Sequence, residues 1–523
     1  DILGIAQLDK FKYIIELIKQ NSEDGNFILN LNTIPTDDEK VFEYFSKGWN
    51  EDVFQFGTSG LKTYSFRVKP KNIEDLISMN ALFRPGPMDS DAHNDFVEFR
   101  KGKKKAIFDI GMEEVTKHTQ GLYIYQEQVM QAMVVAGLTL AESDEARTAI
   151  KKFDKVKLDS FKAKFLKGYS KILVDRKFKK DVDKEANKLW DKLMAFSSYG
   201  FNRSHAAAYS LMGYWSQWLK VNYPLEFWTA SLNFANENDE IPNRISEIKK
   251  IDNGIKVSQP DINKSDLYFT SDIETNEIYW SLTKIKYVGE VAVKVILDER
   301  QNGEFFSLED FLNRVPKAKV NKKTVMCLIQ AGAFDNILSE KMDLSVRKSA
   351  ANRYELLKIF LNSRNEQIPD EIELDKNKLK SWFWTLKQKE LTGFGDINYK
   401  NLVKKKWPSL KEVERQYLDG DLAIEYLFDD KNYRRTIIAG RINKFSVRDS
   451  KRGDWAAISI ENNNSIIIVR IWNDVWSKLK IKSKLEELRD NKKMFAISGE
   501  LKFDSWSNKN ILFGYDDTKI VEL

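Results

Sequence analysis

The sequence predicts a multidomain α+β protein, mostly helical over most of its length and closed by a small C-terminal β-barrel. Three observations carry this. The chain has 523 residues, and domains run roughly 100–200 residues, so about three to five are expected. Apolar residues recur at helical spacing from the start, as at Phe11, Ile14, Ile15 and Ile18. From Arg434 the period changes. Ile437–Ala439, Ala456–Ile460, Ile466–Trp472 and Met494–Leu501 are short apolar runs parted by Gly, Asn and Asp turns, the spacing of a barrel.

The elements follow in order. Phe11 to Gln20 reads as a helix, and polar Asn21 to Asn26 ends it. Pro35-Thr-Asp-Asp-Glu39 gives a cap-like start to a helix through Phe45. Residues 51–235 read as mostly helical, with loops at Arg84-Pro-Gly-Pro87, Thr119-Gln-Gly121 and Tyr199-Gly200. Residues 236–335 mix helices with a short β element, Leu267 to Ser281, and residues 336 to about 430 read as polar and helical. There is no internal repeat and no low-complexity tract.

Composition narrows the function classes. Hydrophobic residues make up 42% and charged residues 31%, enough for several cores beneath an ordinary surface. No run approaches the ~18 apolar residues of a membrane span, and no secretory signal opens the chain. The single cysteine, Cys327, excludes an intrachain disulfide and fits a reducing, cytoplasmic compartment. With three histidines besides (His93, His118, His205), a structural zinc site is disfavoured; metals here are expected to be hard cations on carboxylates. Net charge is +6, but Lys151 to Lys192 holds 15 Lys/Arg against 7 Asp/Glu, a local excess of +8. Arg100-Lys-Gly-Lys-Lys-Lys105 is nearly pure positive charge. Such patches attract phosphate backbones, although a solvated helix face reads the same way.

The segment YGFNRSHAAAYSLMGYWSQWLK, Tyr199 to Lys220, has its own logic. Gly200 permits a tight turn. Asn202, Arg203, Ser204 and His205 open a helix whose free amides suit an anion. Arg203 adds a forked phosphate donor, and Tyr199 and Phe201 offer rings for a base. The plain alternative is a core helix capped by Ser204. Ile285-Lys-Tyr-Val-Gly289-Glu, followed by apolar Val291 to Leu297, has the form of a helix-hairpin-helix, with Gly289 bringing backbone amides to a DNA phosphate. Val320-Asn-Lys-Lys to Asp335 offers a second such unit, and a plain helical hairpin is the alternative reading. Among the C-terminal runs, Phe445, Trp455, Trp472, Phe503 and Trp506 are candidates to stack single-stranded bases. Trp472 is expected in the core and Trp455 at the surface.

YGFNRSHAAAY resembles a signature of the α subunit of bacterial DNA polymerase III, the family C replicative polymerases. FRPGPM (Phe83 to Met88), GLYIYQEQVMQ (Gly121 to Gln131), Phe54-Gln55 with Lys69-Pro70, Asp144-Glu-Ala-Arg147 to Lys152, and WLKVNYPLEF (Trp218 to Phe227) resemble further family segments in family order. The resemblance covers most of residues 1–335 and, more loosely, 430–523. It implies that Arg84, Arg147, Lys151, Lys152, Tyr199, Phe201, Asn202, Arg203, Ser204 and His205 face the incoming triphosphate. Thr148 stands where the family usually carries a charge. It implies two Mg2+ ions held by three aspartates, of which Asp1, in Asp1-Ile-Leu-Gly-Ile5, resembles the third. The chain opens at Asp1 without a methionine, so a fragment, a processed product or half of a split polypeptide is expected, from a bacterial or phage source. Lys101, Lys103, Lys104, Lys286, Gly289, Arg452 and Trp455 are implied to contact DNA. The C-terminal strands resemble the family's OB-fold, with Gly440 after a first strand, Lys451-Arg-Gly-Asp-Trp455 as a basic turn and Gly499 in the fifth strand.

The expected division is a palm remnant (1–50), helical fingers (51–235), a helix-hairpin-helix region (236–335), a helical connector (336–430) and an OB-fold (431–523). The expected partners are primer-template DNA, dNTPs and a palm-containing upstream segment or subunit. A sliding clamp is a further partner implied by the family, but no glutamine-led clamp peptide lies between 336 and 430. The rival expectation is a catalytically inactive, polymerase-derived DNA-binding or scaffold protein.

Overall fold

The computed structural model describes residues 6–22, 29–84, 87–88, 91–152, 154–197, 200–235, 240–251, 253–338, 352–367, 381–395, 399–406, 411–416, 422–428, 433–449, 453–462, 465–476, 481–490, 493–504, 509–515 and 518–523. The chain divides into two compact units, Asp1–Ser231 and Leu232–Leu523. Among the described residues no helix is long and apolar enough to cross a membrane.

The first unit is helical. Its helices begin where a side chain closes free amides, a device worth about 1 kcal/mol each. Asp38 caps Glu39–Ser46, as the Pro35–Glu39 signal predicts, and Asn72 caps Ile73–Leu82. The Ile73–Leu82 helix is buried from Asp75 through Leu82 and packs on Arg203–Asn222. Arg203–Asn222 turns a row of small residues inward, Ala206, Ser210 and Gly213. A Cβ at Gly213 would stand 2.7 Å from the Phe56 ring and 2.9 Å from the Phe54 carbonyl oxygen. Glycine costs about 1 kcal/mol of helix propensity relative to alanine, so close approach, not propensity, places it there.

A second core in this unit joins Gln126–Val135, Leu140–Lys152, Lys155–Asp175 and Val182–Ser197 around Met133, Phe165, Tyr169, Trp190 and Leu193. The lysine-rich stretch is therefore two amphipathic helices. They bury an aromatic row and leave Lys155, Lys157 and Lys167 exposed.

In the second unit, β1 (Lys256–Val257), β2 (Thr270–Asp272) and β3 (Glu277–Tyr279) form a small sheet of order β1-β3-β2, where a short β element is expected. The helices Glu290–Arg300, Leu308–Arg314 and Lys322–Ala331 follow. Arg353, 7% exposed, donates to Asp335 at 2.6 Å and to the Gln388 side-chain oxygen at 3.1 Å. It ties the end of this region to the Ser381–Thr392 helix.

The C-terminus is a closed five-stranded barrel with the OB-fold strand order. β6 (Tyr433–Arg448), β7 (Trp455–Asn462) and β8 (Ser465–Ile471) run antiparallel. β10 (Lys509–Gly514) pairs parallel with β8 and antiparallel with β9 (Phe495–Asp504), and β9 closes on β6. Alternate residues such as Ile458, Ile460, Val469 and Ile471 fill the interior, the period-two pattern of strands with one buried face. Leu485 and Leu488 of the Ile481–Asp490 helix join the same core.

Three expectations are corrected. Residues 336–430 are not helical throughout: β4 (Lys411–Gln416) and β5 (Leu422–Phe428) form a hairpin, and β5 pairs with β6. The first half of the 16-residue β6 has an edge free of the barrel, and an open edge satisfies its backbone groups by adding strands. Gly440 does not follow the first strand. It lies inside β6, where pairing passes from β9 to β7 and a Cβ would stand 2.3 Å from the Glu461 carbonyl oxygen. Gly499 lies in β9, the fourth barrel strand, not the fifth.

Candidate nucleotide and nucleic-acid interface

Three segments distant in sequence meet at the start of the Arg203–Asn222 helix. Phe201 forms a parallel bridge with Tyr125. The Gln126 amide donates to the Phe201 carbonyl at 2.9 Å, and the Phe201 amide donates to the Ile124 carbonyl at 3.2 Å. The Gln126 side chain donates to the Gly200 carbonyl at 2.7 Å. Arg84, just past the Ile73–Leu82 helix, lays its guanidinium 3.5 Å over the Phe201 ring. His205 meets Phe201 edge-on at 5.4 Å and stacks on Tyr209 at 4.2 Å.

The helix start is not free, as the sequence suggests it should be. Asn202, not Ser204, is the cap, accepting from the His205 amide at 2.8 Å; Ser204 is exposed. The Glu127 carboxylate accepts from the Arg203 amide at 3.0 Å and from the Asn202 side chain at 2.9 Å. The Arg203 guanidinium donates to both Glu74 oxygens, at 2.7 and 2.8 Å, and lies 5.9 Å over the Tyr125 ring. A helix N-terminus favours negative charge, and here the chain's own carboxylates supply it. The hydrogen bond to Glu74 lifts Arg203 above the usual guanidinium pKa, whereas burial lowers that of Arg84. Burial pushes the Tyr125 phenol well up, so it stays a hydroxyl. Two guanidiniums therefore lie beside rings at one helix start, with Arg203 paired to Glu74.

The other candidates are dispersed. Arg147 pairs with Asp144 on its own helix at 2.7 Å, and Lys152 is exposed at that helix's end. Among the described residues no hydrogen bond, ion pair or ring contact joins either to the Arg203 group. Asp1, Tyr199 and Arg452, and the Lys151 side chain, lie outside what is described. Among the described residues no three His, Cys, Asp or Glu side chains gather to hold a metal, so these residues alone do not fit a two-metal centre. Glu74, Glu127 and Tyr125 are the site residues that sequence reasoning missed. The only signal for Glu127 was its place in the quoted GLYIYQEQVMQ segment.

On the surfaces expected to meet DNA, Lys101 and Lys103 are exposed and Lys104 pairs with Asp95 at 2.6 Å. In the hairpin, Lys286 and Gly289 are exposed, but Gly289 has φ −84° and is not the left-handed residue. That position is held by Tyr287, φ 68°. On the barrel, Trp455 and Trp472 lie 5.2 Å apart, with Arg448 and Arg470 over the Trp455 ring at 5.4 and 5.8 Å. Trp472 is 43% exposed, so it is a surface ring and not the core residue expected. It follows β8 directly, where the strand leaves the barrel wall. Phe445 packs instead against the barrel core near Trp476. Trp506 and the Phe503 side chain lie outside what is described.

The chain thus combines a helix start flanked by Arg84 and Arg203, a region of short helices and a five-stranded barrel of OB-fold strand order. Residues 7–172 match the family model described as the bacterial DNA polymerase III alpha subunit finger domain, and residues 254–344 match a helix-hairpin-helix motif. The chain is similar to DNA polymerase III subunit alpha of Aquifex aeolicus, 30% identical over 96% of this chain and 41% of that protein. It is 38% identical to that of Borreliella burgdorferi over 64% of this chain and 28% of that protein. To that of Escherichia coli K12 it is 28% identical over 97% of this chain and 44% of that protein. The chain belongs to the bacterial DNA polymerase III alpha-subunit family, and it spans less than half the length of these curated relatives.

Proposed function

We propose that this chain holds the incoming nucleotide and the primer-template in template-directed DNA synthesis. The DNA-directed DNA polymerase activity is completed by metal-binding carboxylates on a palm segment, upstream or on a partner subunit. The observation that supports this best is the joining of Arg84, Phe201, Asn202, Arg203 and His205 at one helix start. Arg84 and Arg203 neutralise and orient the triphosphate, the help phosphoryl transfer most needs. His205 is held for the same anion by its stack on Tyr209. The carboxylates of such a palm segment would hold Mg2+, which would supply charge stabilisation to the primer hydroxyl and the phosphates. Lys101, Lys103, Lys286 and the barrel surface grip DNA through phosphates and bases.

The test measures primer-template binding with and without the correct dNTP and Mg2+. The nucleotide tightens binding, and Arg203→Ala removes that tightening. An inactive scaffold would show steep salt dependence with no nucleotide effect; Thr148 and the left-handed Tyr287 favour that rival. Primer extension with an added palm-bearing partner gives a second check. Synthesis by this chain alone, abolished by Asp1→Asn, would overturn the need for a partner.

A further inference from the structure

The tip of the first hairpin carries a residue that its backbone does not favour. Tyr287 adopts φ 68°, a conformation open to glycine and strained for a residue with a Cβ. Two positions on, Gly289 has an ordinary φ and open space where a Cβ would stand. The strain is not kept for the core, because Tyr287 is 62% exposed.

What surrounds the ring is positive charge. The Lys323 ammonium lies 3.4 Å over the ring centroid, and the Thr324 hydroxyl donates to the Tyr287 carbonyl at 3.3 Å. Both belong to the Lys322–Ala331 helix of the second unit, and Lys317 and Lys319 just before it are exposed. Lys286 is exposed beside Tyr287. Behind them, the Glu290–Arg300 helix starts without a side-chain cap, so its first amides are free of side-chain acceptors. Strain held at an exposed position points to what that side chain touches outside the molecule. A flat ring set among lysines matches a partner that alternates phosphate charge with apolar sugar faces.

We propose that Tyr287 and Lys323 form one contact on duplex DNA. Lys323 and Lys286 meet the phosphates on either side of a deoxyribose, and the Tyr287 ring packs on that sugar. This rests on the reading of residues 236–335 as a duplex-binding region, and it adds a side-chain contact to the backbone grip expected of a hairpin glycine.

The experiment measures binding of the whole chain to a 5′-labelled duplex of about 20 base pairs, by fluorescence anisotropy over a salt series. Tyr287→Gly relieves the backbone, so its melting temperature is unchanged or higher while duplex affinity falls at least threefold. Tyr287→Phe stays within twofold of wild type. Lys323→Gln lowers the magnitude of the salt slope by about one. Duplex affinity of Tyr287→Gly equal to wild type, with Lys286→Gln and Lys323→Gln both weakened, overturns the Tyr287 contact and leaves the duplex-binding reading standing. Wild-type affinity in all three variants overturns both. An equal loss on a single strand of the same length would assign the ring to bases and overturn the duplex assignment.

Discussion

Glu127 joins two segments with one carboxylate, accepting from the Arg203 amide and the Asn202 side chain. Glu127→Gln keeps an acceptor but loses the charge that suits a helix start. It should lower stability by about 0.5–1 kcal/mol in a denaturant titration. Glu74 differs, because its pair with Arg203 is half exposed and such pairs contribute roughly 0–1 kcal/mol. Glu74→Gln should therefore leave the melting temperature nearly unchanged while freeing Arg203, and triphosphate affinity should rise rather than fall. His93 sets a pH dependence, its pKa lowered chiefly by burial. The unfolded chain takes up this proton near pH ~6.5, and the folded chain only at lower pH. Between the two the unfolded state binds more protons, so stability falls as pH drops below ~6.5. His93→Gln should flatten that part of a melting-temperature profile.

Helix starts were legible because caps are local: the Pro35–Glu39 signal led to an Asp38-capped helix. The barrel strands were legible because one face is buried, so apolar residues alternate. The β4–β5 hairpin was not, since its place depends on the free edge of β6. Trp472 was misread for a related reason: a tryptophan's type does not say whether its position faces in or out just past a strand end. Packing between helices gives a sharper prediction. Gly213→Val would drive methyls into the Phe56 ring and the Phe54 carbonyl. We expect a loss of about 1–3 kcal/mol, read by thermal unfolding, and weaker nucleotide binding because the same helix carries Arg203.

Under the proposed function each of the two units carries its own candidate surface, the first the Arg203 helix start and the second the hairpins and barrel. Trp455→Ala and Trp472→Ala should each weaken single-strand binding by about 1–3 kcal/mol. Circular dichroism of the barrel should be unchanged, since Trp472 is a surface ring and Trp455 is partly exposed. The sequence by itself determined the family, the helical body with its terminal barrel, and the identity of the cationic residues, because period, turn chemistry and motif order are written along the chain. It did not show that Gln126, Glu127 and Arg84 close around Phe201 and Arg203, or that Glu127 already occupies the anion-favouring helix start while Glu74 pairs with the Arg203 guanidinium. Those contacts join residues about 75 to 130 positions apart, and tertiary packing alone decides which charge meets which. The left-handed Tyr287 was hidden likewise, because a backbone dihedral against residue preference is fixed by the neighbours that hold it, here Thr324 and Lys323.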